Sequence, residues 1–237
     1  MSSAASSARD RLVLALDVDD LVAALRLARR LSPYFGVAKV GLELFSAAGP
    51  ETVSSLVVEG YRVFVDLKLH DIPTTVGRAA RVLGGLGAAY ATAHAAGGED
   101  MLRAAVEGIG EGASAAGAPT PCLLGVTVLT SAQEHTGEIV GKRALSAASA
   151  GCAGVVCAAS DLEVVREVAP GLIRVVPGIR PSGVGADDQV RPSEPSEALR
   201  QGADLLVVGR AVTAASDPEA AAAGILHEVE NALTNGV

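Results

Sequence analysis

Asp66, Lys68 and Asp71 are grouped in the segment Asp66-Leu67-Lys68-Leu69-His70-Asp71-Ile72-Pro73-Thr74-Thr75. The segment follows Tyr61-Arg62-Val63-Phe64-Val65, a run of β-branched and aromatic residues that reads as a buried strand. Asp66 and Lys68 are two apart, so on a strand their side chains point the same way, with Cα atoms about 6.5–7 Å apart. Asp71 lies just past the strand, where the chain turns before Pro73. Two carboxylates and an ammonium at the end of an apolar strand are costly to desolvate, and such groups usually serve chemistry or ligand binding. Lys39, in an earlier apolar run, extends the set to an alternating array of Lys39, Asp66, Lys68 and Asp71. A purely structural salt-bridge network is the bland alternative. Lysine seldom enters an apolar interior without a task, which favours chemistry. Flanking carboxylates would keep Lys68 protonated, ready to deliver a proton to a developing carbanion.

Short apolar runs at residues 12–16, 36–40, 62–67, 88–93, 121–128, 154–158, 173–176 and 205–208 supply eight strand candidates. Helical patterns lie between them at 20–31, 75–83, 134–150, 161–168 and 196–201, and a last one covers 218–233. Strands alternating with helices imply parallel pairing with right-handed crossovers. Eight such units in a chain of this length predict an α/β fold, a single-domain (β/α)₈ TIM barrel over residues 11–237. Residues 1–10, Ser- and Ala-rich at their start, read as a flexible N-terminal tail.

In such a barrel, reactive residues belong at the carboxyl ends of strands, with phosphate held after strands 7 and 8. Polar residues fall at those ends: Asp17, Lys39, Asp66 with Lys68, His94, then Thr127, Thr130 and Ser131. Pro177-Gly178-Ile179-Arg180 follows the seventh run and Gly209-Arg210 the eighth. Glycine lets the main chain approach an anion and arginine supplies a forked cation. Arg180 reads equally as a ligand contact or a solvent-facing side chain, and His94 equally as a ligand contact or a structural residue. The loop 180–195, rich in Pro, Gly, Ser and Asp, is long enough for a lid, with Gln189 its best candidate to reach a ligand.

The chain has 237 residues, 49% hydrophobic and 19% charged, with 3% aromatics and no Trp, so its core must consist mainly of Val, Leu, Ile and Ala. A net charge of −8 argues against a nucleic-acid surface and requires a local basic cluster if the ligand is anionic. No apolar run reaches the roughly 18 residues that span a bilayer, so a cytoplasmic protein without membrane partners is expected. Cys122, Cys152 and Cys157 form no CxxC pair and read as reduced, buried thiols. No His/Cys spacing predicts a metal site.

Asp66-x-Lys68-x-x-Asp71-Ile72-Pro73-x-Thr75 resembles the signature of orotidine 5′-monophosphate decarboxylases, and the resemblance extends over nearly the whole chain. Leu14-Ala15-Leu16-Asp17 resembles the family's first-strand motif and Lys39-Val40-Gly41 its second, which implies ribose contacts for Asp17 and Lys39. The resemblance places Thr75 at the ribose as well. Val126-Thr127-Val128-Leu129-Thr130-Ser131 is similar to the segment that hydrogen-bonds the pyrimidine, with Thr130 at the main position. Pro177, Gly178 and Gln189 match its phosphate lid, and Gly209 with Arg210 its eighth-strand phosphate site. The resemblance further implies a homodimer in which Asp71, Ile72 and Thr75 reach the neighbouring subunit's site. The implied reaction is cofactor-free: orotidine 5′-monophosphate loses CO₂ beside Asp66, and Lys68 protonates the resulting carbanion.

Two other readings stand beside it. A Mg²⁺-dependent sugar-phosphate lyase or aldolase of the same barrel superfamily shares a similar Asp-x-Lys-x-x-Asp but carries an acidic residue where this chain has Lys39. A non-catalytic barrel that binds a nucleotide is the third, since fold alone does not fix function.

Overall fold

The eight β-rich runs pair in chain order, each strand parallel to the next, and the last pairs with the first to close a barrel. The computed structural model describes residues 7–129, 136–181 and 193–236. The strands are β1 (Leu12–Ala15), β2 (Val37–Val40), β3 (Arg62–Leu69), β4 (Tyr90–His94), β5 (Cys122–Val126), β6 (Gly154–Val156), β7 (Ile173–Val176) and β8 (Leu205–Val208). The (β/α)₈ expectation is met.

Strand parity explains the two cores. Val13, Ala15, Val37, Phe64, Tyr90, Leu124, Val175, Leu205 and Val207 fill the barrel interior. Their neighbours Leu12, Leu14, Ala38, Val63, Val65, Ala91, Leu206 and Val208 face outward and pack with the surrounding helices. Alternate residues therefore serve different cores, so both faces of every strand are apolar. Phe64 and Tyr90 meet edge to face, 6.0 Å between centroids, and occupy interior space that Val and Ala alone would leave open.

Residues 95–117 are the largest difference from the sequence reading, which placed no helix there. They hold the helix Glu99–Ala116. Its glycines weaken intrinsic helix propensity by up to about 1 kcal/mol each, and so hide the pattern. Tertiary contact accounts for them. This helix lies against Pro73–Gly84 so closely that a β-carbon on Gly84, Gly108 or Gly112 would strike the main chain of Ile109, Gly77 or Arg81. The expected tail also ends earlier than residue 10. Ala8–Arg11 is helical, Ser7 accepts a hydrogen bond from the Asp10 N–H, and Arg62 Nη2 donates to the Asp10 carbonyl at 2.6 Å. Long-range contacts from β3 hold this turn at the barrel floor, which local sequence does not reveal.

The three cysteines are free, and burial pushes Cys152 and Cys157 up to about 12. Among the described residues no helix is long and apolar enough to cross a membrane.

The helix contact predicts opposite signs for two neighbouring substitutions. Gly112→Ala forces main chains apart and should lower unfolding free energy by about 1–3 kcal/mol. Gly110→Ala, whose β-carbon would meet open space, should raise it by up to about 1 kcal/mol. Urea denaturation followed by circular dichroism measures both; equal effects would refute the close approach.

Candidate active site

Parity brings the charged residues together. Lys39 follows Val37 inward on β2, and Asp66 follows Phe64 inward on β3. Lys39 Nζ lies 3.0 Å from Asp17 Oδ1 and 3.8 Å from Asp66 Oδ2, and Lys68 Nζ lies 2.7 Å from the same Asp66 oxygen. The order Asp17, Lys39, Asp66, Lys68 thus alternates in sign along one wall of a cavity at the carboxyl end of the barrel. Lys39 and Asp66 each retain only 11% side-chain exposure. Removing either partner would strand a nearly buried charge.

The Asp66–Lys68 contact is made by a bulge rather than by a regular pleat. Val65 pairs with Ala91 and Leu69 with Ala93, so β3 spends four residue steps where β4 spends two. Lys68 absorbs the excess at φ 51°, the only positive φ among described non-glycine residues. Such a conformation costs of order 1–3 kcal/mol and persists where surrounding contacts enforce it. Those contacts come from Thr92, completely buried on β4. Its hydroxyl accepts from the Lys68 N–H at 2.9 Å and donates to Asp66 Oδ1 at 3.0 Å.

Gly41 closes the array from the side. A β-carbon there would lie 3.0 Å from Asp17 Oδ1 and 3.1 Å from Lys39 Nζ, crowding the ion pair. Thr92 is not among the residues singled out from sequence, and Gly41 enters there only as the last residue of the Lys39-Val40-Gly41 motif, with no role of its own. For Thr92 the available signal was a lone hydroxyl in the apolar run Tyr90-Ala91-Thr92-Ala93, two residues from inward Tyr90.

The far side of the cavity is cationic. Pro177, Gly178, Ile179 and Arg180 after β7 line it, as do Gly209 and Arg210 after β8. Gly178 holds φ 78°, which explains glycine at that turn. Arg180 is buried and lines the cavity, which rules out the solvent-facing alternative. Val126, Val128, Leu129 and Val156 supply an apolar wall. The Thr127 hydroxyl donates to the Val156 carbonyl at 3.1 Å, and Arg143 Nη1 donates to the Thr127 carbonyl at 2.7 Å. Thr127 is therefore part of the wall's support. Thr130, Ser131 and Gln189 lie outside the described residues.

Asp71, Ile72 and Thr75 do not join this cavity. All three are exposed around the start of the Pro73–Gly84 helix, and the Asp71 carboxylate accepts from the Ile72 N–H at 2.7 Å. Within one chain the array therefore ends at Lys68. His94, at the end of β4, is not among the residues lining the cavity, and its ring lies 5.3 Å from that of His70.

A closed parallel barrel whose rim joins an alternating ion array to two guanidinium groups defines a barrel enzyme class suited to small anionic substrates. A family model described as "Orotidine 5'-phosphate decarboxylase / HUMPS family" matches residues 10–225, and the chain belongs to that family. It is 47% identical over 235 residues to orotidine 5'-phosphate decarboxylase of Moorella thermoacetica, covering 94% of this chain and 93% of that one. Identity to the Thermobifida fusca protein of the same name is 43%, covering 92% and 95%. The crystal structure of orotidine 5'-phosphate decarboxylase from Lactobacillus acidophilus matches with TM-score 0.79 and 34% identity, covering 93% of this chain and 99% of that chain.

Burial, then the neighbouring His70, Lys68 and Arg143, hold the His94 imidazolium below its ordinary range. The unfolded chain therefore binds the His94 proton more tightly, and this group adds stability that is lost as pH falls below about 6.5. Replacing it by His94→Gln should flatten the decline in melting temperature between pH 7 and pH 5. An unchanged pH slope would contradict the assignment.

Proposed function

We propose that this protein decarboxylates orotidine 5′-monophosphate to uridine 5′-monophosphate and CO₂, the last step of de novo pyrimidine nucleotide synthesis. One observation carries the reading: the Asp17–Lys39–Asp66–Lys68 array shares a cavity with Gly178, Arg180, Gly209 and Arg210. The family and the names of its relatives agree with it.

The phosphate binds between Arg210, Gly178 and Gly209, where main-chain N–H groups and a guanidinium can reach it. Arg180 adds a second cation on that side. Asp17 and Lys39 bind the ribose, which sets the pyrimidine against the apolar wall. Its C6 carboxylate then faces Asp66 and Lys68. The C6–carboxylate bond breaks, CO₂ leaves, and the electron pair stays on C6. The Lys68 ammonium donates its proton to that carbon, and the neutral amine regains a proton from solvent. Asp66 opposes the substrate carboxylate but not neutral CO₂, so its repulsion is relieved as the bond breaks. Enzymes lower barriers by roughly 8–23 kcal/mol. Without an electron sink this reaction needs the upper part of that range. Binding energy from the remote phosphate contributes to it, and Thr130 and Gln189 act on base and lid.

The sugar-phosphate lyase reading shares the barrel and the Asp66-x-Lys68-x-x-Asp71 spacing. Against it stands Lys39, whose ammonium occupies the space between the Asp17 and Asp66 carboxylates. The reading includes a cytoplasmic homodimer. Free thiols fit a reducing compartment, and Ile72 and Val82, exposed beside and on the Pro73–Gly84 helix, leave apolar surface for a second copy. In that dimer Asp71, Ile72 and Thr75 complete the partner's site.

Purified protein should convert orotidine 5′-monophosphate to uridine 5′-monophosphate in excess EDTA, followed by ultraviolet absorbance. Lys68→Ala should lower kcat by at least about 10²–10⁴-fold, the usual contribution of a positioned proton donor. Activity only on a sugar phosphate with Mg²⁺ restored would replace this reading by the lyase.

The shared site has its own test. Lys68→Ala and Asp71→Ala chains, each inactive alone, should regain about a quarter of wild-type activity when unfolded and refolded together, because each hybrid dimer holds one intact site. Absence of recovery with normal dimer formation would place Asp71 outside the partner's site.

A further inference from the structure

Asp66 and Lys68 are joined by a residue with no direct part in the reaction. Thr92 stands on β4, completely buried, with its hydroxyl between the two. It donates to Asp66 Oδ1 and thereby fixes the rotation of that carboxylate. The other oxygen, Oδ2, is then directed at Lys68 Nζ at 2.7 Å and at Lys39 Nζ at 3.8 Å. The same hydroxyl accepts from the Lys68 N–H, the main-chain donor of the one described non-glycine residue at positive φ. The bulge removes regular pairing between Val65 and Leu69, so this N–H needs a partner other than the β4 main chain. A hydroxyl suits both tasks because it gives one hydrogen and accepts another. Valine has the same shape and can do neither.

We infer that Thr92 is a positioning residue for proton transfer, holding the Asp66 carboxylate and the strained Lys68 backbone in one register. The inference rests on the decarboxylase reading above. Without the hydroxyl, Asp66 is free to rotate and the Lys68 backbone is free to relax toward negative φ. Lys68 Nζ then leaves the place from which it reaches C6. The phosphate contacts come from other strands, and Lys39 at the ribose keeps its nearer partner Asp17 at 3.0 Å. The loss therefore falls on the chemical step and spares binding.

Three proteins test this: wild type, Thr92→Val and Thr92→Ser. Thr92→Val should lower kcat by about 10–100-fold, the scale on which small misplacements of reacting groups act. Its Kd for uridine 5′-monophosphate by calorimetry should stay within about twofold of wild type, since the product needs no proton transfer to bind. Thr92→Ser, which keeps the hydroxyl, should recover kcat to within a few-fold. Thr92→Val with wild-type kcat overturns the inference. So does equal loss of kcat and product affinity, or failure of serine to recover the rate, since each marks a general role in folding. Should the valine chain not fold, Thr92→Ala takes its place, and failure of both to fold also overturns it. Absence of turnover in wild type would instead sink the decarboxylase reading, so the two failures are distinguishable.

Discussion

The Asp66 carboxylate is nearly buried, and three groups converge on it. Thr92 fixes one oxygen, while Lys68 and Lys39 approach the other. A charge in this place persists only if it is paired and hydrogen-bonded. Much of the site's architecture meets that requirement. β2 carries Lys39 inward, β3 bulges to bring Lys68 back, and β4 presents a hydroxyl where its register neighbours are apolar. Gly41 keeps the side of the array clear of a β-carbon.

The barrel makes such concentration possible without losing its core. Inward residues near the floor are apolar, such as Val13, Val37, Phe64 and Tyr90. One or two pleats further along the same strands they become Asp17, Lys39, Asp66 and Thr92. The change occurs at the carboxyl ends, where loops rather than helices cover the barrel. Charges are therefore held by a rigid, close-packed layer below them and remain open to ligand above. The same end gathers Arg180 and Arg210 from the last two strands. Local cationic groups thus face a substrate-sized cavity in a chain whose net charge is −8. At short range they outweigh the global field, which solvent screens within about 8–10 Å at ordinary salt.

Much of this was legible in the chain. Strand candidates at 62–67 and 205–208 correspond to β3 and β8, because short β-branched runs between helical patterns report buried parallel strands directly. Lys39, Asp66 and Lys68 were legible because charged residues stand out at the ends of apolar runs. Arg180 was ambiguous, since an arginine after a turn looks the same whether the loop folds over it or away from it. The helix Glu99–Ala116 was concealed by glycines that weaken it locally and are required by its neighbour. Asp71, Ile72 and Thr75 belong to the most specific motif yet lie off the cavity of their own chain, which spacing along the sequence does not reveal.

The sequence by itself determined the eight strands, several of the helices between them, the residues at the rim and the family, because these depend on residue type and spacing along the chain. Tertiary structure alone decided how the rim residues meet. The bulge at Lys68, the shared oxygen of Asp66, the hydroxyl of Thr92 and the burial of Arg180 arise between strands. A hydrogen bond to the adjacent strand holds a backbone conformation that lysine rarely adopts on its own, and no local pattern encodes a contact made from the neighbouring strand.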